Sequence, residues 1–387
     1  MRGFADGLVS VLLPAYLTAL GHGPLAIGAL ATAALLGSAV ATLAVGLLGP
    51  RLPARAVLLA ACALMAATGA GFVGLEALAP LLAVAFVGTL NPSAGDVSVF
   101  LPTEQALLAE SAAPEDRTAL FARYSLAGGL AAALGALASG LPARAAEAFG
   151  APALTGHRLA FGLYALGALA LLALYRPLEA GRAPARPGEP GAGPLARSRR
   201  TVLGLAALFS LDSFGGGFAV QSILALWLFQ RFALSLEQVG AVFFAANALA
   251  AFSQLASPWL AARIGLVRTM VFTHLPANAF LVLAALMPSA PGAVACLLLR
   301  MAFSQMDVPA RQSLVMSLVP PEERAAAASV TNVPRSLATA LAPSLAGAML
   351  AASSFGWPLV AAGALKIAYD LALFARFRAA EPASPPQ

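Results

Sequence analysis

Apolar runs of about twenty residues follow one another along almost the whole chain, and none shows the in–out alternation of a strand. About 20 apolar residues in a helix cross the ~30 Å hydrocarbon core of a bilayer. A chain built of such runs is a polytopic membrane protein, and their continuity favours helices over a barrel. Charge agrees: 23 Lys+Arg and 17 Asp+Glu make 10% of 387 residues, and the mean hydropathy is +0.84. A soluble domain carries about 25%. A soluble enzyme, a disordered chain and a fibrous repeat are excluded. Cys62 and Cys296 sit inside apolar runs and read as small buried side chains, so neither a disulfide nor a metal site is expected. The first run contains Asp6 and passes straight into the second, so it reads as a first helix, not a cleavable leader.

The runs fall at roughly 3–20, 26–48, 56–74, 78–104, 117–139, 158–175, 201–230, 238–261, 267–287, 291–316, 324–350 and 356–376. With the N-terminus inside, fifteen of the 23 basic residues fall on the inner side, three on the outer side and five within spans. That bias is what the positive-inside rule requires, and the opposite orientation fails it. The basic residues thus follow topology and form no single patch, which excludes a nucleic-acid partner.

Residues 176–200 differ from every other connection. They are rich in Pro, Gly and Arg and read as a flexible cytoplasmic linker. The chain divides into a six-helix bundle at 1–175, the linker, a second bundle at 201–380 and a tail at 381–387. The two halves repeat at an offset of 207 residues. Leu101-Pro102-Thr103-Glu104-Gln105 with Pro114-Glu115-Asp116-Arg117 matches Val308-Pro309-Ala310-Arg311-Gln312 with Pro321-Glu322-Glu323-Arg324. A weaker echo joins Gly46, Arg51 and Arg55 to Arg263, Gly265 and Arg268.

Two six-helix halves, a long inner linker and a basic turn between spans two and three resemble the major facilitator superfamily. The family's turn carries an Asp where this chain has Pro50 and, in the second copy, Ala262. Its acid latch on the cytoplasmic gate is therefore missing. The resemblance extends to uncharacterised bacterial members through residues 304–312 and 331–336. It implies an all-α fold of twelve transmembrane helices in two pseudo-symmetric bundles, working by alternating access. The partners it implies are a small-molecule substrate, a proton as coupling ion and the lipid bilayer. It also implies a monomer in a bacterial inner membrane, with both termini cytoplasmic and no cofactor.

Charges within spans are expensive and mark candidate sites. The family's cavity is lined by spans one, four, seven and ten, with help from two, five, eight and eleven. Six charges fall on such helices: Asp212, Asp307, Arg300, Arg335, Asp96 and Arg123. Three acids and three arginines sum to zero. Either they are buried ion pairs that fix packing, or they form the coupling and substrate site. In the second case an acid held out of water takes up and releases a proton. Asp212 is the first choice for that acid and Asp307 the second. The arginines would hold acids or an anionic substrate.

Glu104 and Arg311 occupy equivalent repeat positions with opposite sign, which suggests a salt bridge between the halves at the inner gate. Arg51 and Arg263 are further gate candidates. Gly215, Gly216 and Gly217 weaken span seven and serve as a hinge or admit a close neighbour. Lys366 and Asp370, four apart on span twelve, read as a self-neutralising pair. His274 ranks low, because span nine is peripheral in the family.

Span five carries Gly128-Gly129 and Gly135 but lacks the proline of the exporters' glycine-rich stretch. Short outer connections pull the other way, and the balance leans slightly to efflux by antiport. The alternative is a proton-coupled importer of a small organic or inorganic anion. A membrane-embedded enzyme is the remote alternative, since no span holds a paired-Asp motif. There is no nucleotide-binding loop either.

Overall fold

The computed structural model describes residues 1–48, 52–93, 98–111, 117–178, 195, 197–320 and 323–378. Before the linker come α1 (Arg2–Ala19), α2 (Pro24–Leu48), α3 (Ala54–Gly74), α4 (Leu78–Val87), α5 (Leu101–Ser111), α6 (Arg117–Leu137), α7 (Leu141–Ala148) and α8 (Ala153–Tyr175). After it come α9 (Arg199–Gly217), α10 (Gln221–Phe232), α11 (Leu236–Ser253), α12 (Ser257–Ile264), α13 (Leu266–Leu286), α14 (Ala290–Ser304), α15 (Asp307–Ser317), α16 (Arg324–Ala352) and α17 (Trp357–Phe377). Among the described residues there is no strand, and nine helical stretches are long and apolar enough to cross a membrane. The expected first, fourth and eleventh spans are helical but fall outside those nine. Most of the linker (179–194 and 196) and the tail lie outside the described residues.

Three expected spans are not continuous. The fourth ends at Val87 and restarts at Leu101. The seventh breaks between Gly217 and Gln221, and the tenth between Ser304 and Asp307. The sequence repeat has a physical meaning here. Pro102 and Pro309 sit in the first turns of α5 and α15, where a helix makes no use of the missing N–H. The same residue restarts the equivalent helix in each half. The break in span seven is satisfied from across the molecule, because the Ser222 N–H donates to the Pro92 carbonyl at 3.0 Å.

Within the first half, Gly7 of α1 lies against the Ala132 backbone of α6, and Gly135 of α6 lies against the backbone of Phe4. A Cβ at either position would overlap a carbonyl, so the two helices touch backbone to backbone. Tyr16, Phe72 and Phe161 fill the core beyond them, with ring centroids 4.9 Å (Tyr16–Phe161) and 4.8 Å (Phe72–Phe161) apart. The Tyr16 hydroxyl donates to the Phe72 carbonyl.

The halves meet along α2 with α16 and α6 with α11. The Ser344 backbone N–H and hydroxyl reach Thr32 Oγ1 at 3.0 and 2.8 Å. Gln221 Nε2 donates to Ser10 Oγ at 2.9 Å. Gly240 lies on Ala136, and Gly129 faces Ala251. These contacts run from the middle of the bundle toward the end remote from Arg2 and Arg378. Helix α16 has 29 residues with Pro334 and Pro343 inside it, a reach of about 43 Å at 1.5 Å per residue.

The α2–α16 seam is testable. A Cβ at Gly28 would stand 2.9 Å from Gly347 Cα and closer still to the Pro343 carbonyl oxygen. Gly28→Val should cost about 1–3 kcal/mol by overpacking. A lowered unfolding temperature of the purified protein, absent in Gly74→Ala, is the expected reading; Gly74 faces open space.

Candidate functional site

Buried charges collect in the second half, at the junction of α9, α13, α15 and α17. Asp212 of α9 is 4% exposed. Its Oδ1 accepts from Lys366 Nζ of α17 at 2.6 Å, and its Oδ2 from Arg311 NH1 of α15 at 3.4 Å. Arg311 also pairs with Asp307, one turn earlier on α15, at 3.4 Å. His274 of α13 places Nε2 3.9 Å from Asp212 Oδ1 and Nδ1 3.0 Å from Asp370 Oδ1 of α17. Asn278, one turn beyond His274, donates to Asp370 Oδ2 at 2.9 Å. Asp370 is fully buried.

Local sequence explains how these groups meet. His274 and Asn278 are four apart on α13, Lys366 and Asp370 four apart on α17, and Asp307 and Arg311 four apart on α15. Each pair therefore shares a helix face. The glycines of α9 face the same place. Cβ atoms at Gly215 and Gly216 would lie 3.1 Å from Lys366 Cγ and 3.6 Å from Lys366 Cε. Their lack of side chains admits the lysine across α9. Gly217 instead meets Thr339 and Ala342 of α16, where a Cβ would overlap the Thr339 carbonyl. Close packing is thus observed at all three, and the helix break follows immediately after.

A smaller cluster sits near the start of the chain. Arg2 NH2 donates to Glu104 Oε2 at 2.9 Å and to the Tyr124 hydroxyl at 3.1 Å. Tyr124 donates to Glu104 Oε2, and Tyr175 donates to Oε1 at 2.8 Å. Arg2 NH1 lies 3.9 Å from Asp6 Oδ2. The carboxylate at Glu104 thereby gathers α1, α6 and α8 around α5. At the start of α9, Glu323 accepts the backbone N–H groups of Arg197 and Ser198 at 2.9 and 3.1 Å. It meets donors that a helix start leaves open.

Several sequence expectations need correction. Glu104 and Arg311 do not meet in this structure, where each is bound within its own half by nearer partners. Lys366 and Asp370 do not neutralise each other: Asp212 takes the lysine, and Asp370 turns to His274 and Asn278. The six charges expected in one group are dispersed. Asp212 and Asp307 are in the buried network. Arg335 donates from Nε to Ser213 Oγ at 2.8 Å. Arg300 is half-buried, with NH1 3.4 Å from Met301 Sδ, and its buried Nε has no acceptor. Arg123 is exposed. Asp96 lies outside the described residues, as does the gate candidate Arg51. Arg263 is exposed, with its guanidinium 4.2 Å from the Trp259 ring centre. His274, Asn278, Lys366 and Asp370 come from helices expected to be peripheral. The signal for them was the matching four-residue spacing on both helices.

Among the described residues, no group of three or more His, Cys, Asp or Glu is arranged to hold a metal ion. The architecture is that of a known family, whose model, the Major Facilitator Superfamily, matches residues 1–343.

The chain belongs to the major facilitator superfamily.

It is a multi-pass membrane protein with a transporter fold. An uncharacterized membrane protein of Saccharomyces cerevisiae, YJR124C, is 25% identical across 97% of this chain and 92% of its own length. Among solved structures, a variant of the nucleoside transporter NupG is similar with a TM-score of 0.78 at 14% identity, covering 97% of each chain. The D-xylose-proton symporter gives 0.73 at 15% identity, over 96% of this chain and 94% of that one. A bacterial homolog of the human lysosomal transporter Spinster, inward-facing and occupied, gives 0.72 at 16%, over 97% and 94%. At these identities the likeness to the solved structures is one of superfamily fold.

The network makes a specific energetic prediction. Lys366→Met leaves a buried carboxylate short of a cation and should destabilise by about 3–5 kcal/mol. Adding Asp212→Asn removes the uncompensated charge and should restore most of that loss. Thermal unfolding of both variants in detergent checks the pair, and a double variant no better than the single one would break the assignment.

Proposed function

We propose that this superfamily member is a secondary transporter that moves a small solute by rocking its two halves about a site near the middle of the bundle, driven by a proton gradient. The observation that carries the reading is Asp212. This buried carboxylate sits mid-bundle, beside a helix break, and draws partners from three other helices. Such a group changes its partners when it gains or loses a proton, and so ties protonation to helix movement. The contacts between halves, grouped toward the end remote from the termini, support a state closed there and open toward the termini. With the positive-inside bias, that reading puts the termini and linker in the cytoplasm. The two six-helix bundles, 1–175 and 201–380, are the moving bodies, and Asp307 is the second coupling candidate. The short connections at the remote end favour efflux by antiport.

One observation favours a second reading, import of a small anion. The buried donors Arg300 Nε on α14 and Asn247 Nδ2 on α11 have no acceptor, and no described carboxylate pairs with Arg300. A buried guanidinium that Asp212 attracts only at a distance leaves room for a negative partner in contact with it.

Reconstitution with an imposed pH gradient, using amphipathic cations, sugars and organic anions as solutes, tests both readings. Asp212→Asn should abolish gradient-driven movement while leaving solute exchange. Gradient-driven transport surviving in this variant would remove Asp212 from the coupling role. For an anion, Arg300→Gln should raise KM about 10-fold or more, the scale of one lost charged hydrogen bond of about 1.5–3 kcal/mol. An unchanged KM would discard the anion reading.

A further inference from the structure

The position of His274 is not used by the reading above. Its ring lies between two carboxylates: Nδ1 is 3.0 Å from Asp370 Oδ1, and Nε2 is 3.9 Å from Asp212 Oδ1. A neutral imidazole donates from one nitrogen and carries a lone pair on the other. With its proton on Nδ1 for Asp370, a neutral ring would turn the Nε2 lone pair toward an anionic oxygen. A doubly protonated ring holds Asp370 and gains a donor for Asp212 once Nε2 closes its 3.9 Å gap to Oδ1. Lys366 and Arg311 are the two cations in contact with the carboxylates of Asp212 and Asp307, and Arg300 adds a longer-range attraction to Asp212.

The groups around His274 are few. On α9 there is Asp212, and on α15 there are Asp307 and Arg311. On α17 there are Lys366, Asp370 and Tyr369, whose ring stands edge-on at 6.1 Å. Arg300 of α14 makes no contact ion pair with the three carboxylates but is attracted by Asp212, and Arg263 of α12 is exposed on Trp259. On α13 itself there is Asn278, whose Nδ2 is 3.3 Å from His274 Nδ1.

We infer that His274 Nε2 is a further proton-binding atom of this transporter beside Asp212, and that its proton competes with Lys366 for Oδ1 of Asp212. Both cations address that one oxygen: Lys366 at 2.6 Å and His274 at 3.9 Å. When the Nε2 lone pair takes a proton, the new N–H closes on Oδ1 and loosens the ammonium. When the proton leaves, Lys366 regains the oxygen. The tie from α9 thus passes from α17 to α13 and back. Gly216 leaves the room for it, since a Cβ there would lie 3.7 Å from Lys366 Nζ. No other atom changes hands. The role in transport rests on the proton-coupled reading, but proton binding by the ring does not.

Two measurements test the site separately. The full chain, labelled with nitrogen-15 histidine in liposomes, reports each ring's protonation. The difference from His274→Gln identifies the signal among three histidines, and the double variant His22→Gln/His157→Gln isolates it a second way. The expected spectrum is a ring that keeps its Nδ1 proton and gains and loses only its Nε2 proton across the pH series. In Asp370→Asn, that loss should come at lower pH. A ring that stays neutral throughout overturns the inference. In proteoliposomes with the same solutes, His274→Gln should lose gradient-driven transport. If His274→Gln keeps it and Asp212→Asn loses it, the inference falls and the coupling reading stands. If the ring titrates as described but wild-type transport ignores the gradient, the coupling reading falls and the proton site stands.

Discussion

A charge in the hydrocarbon region has no water to turn to, so each ionised group in this bundle must be answered by another side chain. That constraint organises the second half. The answer to Asp212 comes from α15 and α17, and the answer to Asp370 comes from α13. Helices that would otherwise be joined only by the packing of Ala, Leu and Val are pinned in register by oxygen and nitrogen atoms. Dispersion and small-residue contact hold membrane helices together without specifying one arrangement strongly. The buried ions narrow the choice.

The two halves meet this constraint differently. In the first half, Glu104 gathers one arginine and two tyrosine hydroxyls near the end of the bundle, and backbone contact at Gly7 and Gly135 does the rest. In the second, three carboxylates, two cations and an imidazole share one dry volume. A sequence repeat that began as two equivalent halves thus supports one half held mainly by close packing and one held by charge. Glu104 and Arg311 show the divergence at a single pair of positions. They keep the same place on the same restarted helix, with opposite sign and partners in their own half.

Much of this architecture was legible in the sequence. Run length placed the helices, because crossing a bilayer sets a length that composition cannot hide. Proline recurs in the repeat where α5 and α15 restart, yet the apolar runs read as continuous through both positions. The interruptions themselves were not legible, since a break in a helix is tolerated only where something distant satisfies the backbone, as the Pro92 carbonyl does for Ser222. The site was half legible. Asp212 stood out because an acid in an apolar run is rare. Its partners did not, because spacing of four residues says that Lys366 and Asp370 share a face and nothing about what faces them. Gly215 and Gly216 on α9 decided that, by letting α17 come close enough for Asp212 to capture the lysine. The assumption that outer helices are lipid scaffolding then hid His274.

Helix α16 has a reach well beyond the hydrocarbon slab of an average bilayer, and it carries half of the α2–α16 seam. A rod of that length lies flush with the slab only when leaning, and the lean it needs depends on the thickness of the surrounding lipid. In the proposed cycle, rocking of the halves changes that lean. On that reading the bilayer acts as a spring on this seam: acyl chain length would set how far one conformation is preferred over the other, and the membrane's lipid composition would become a setting of the machine.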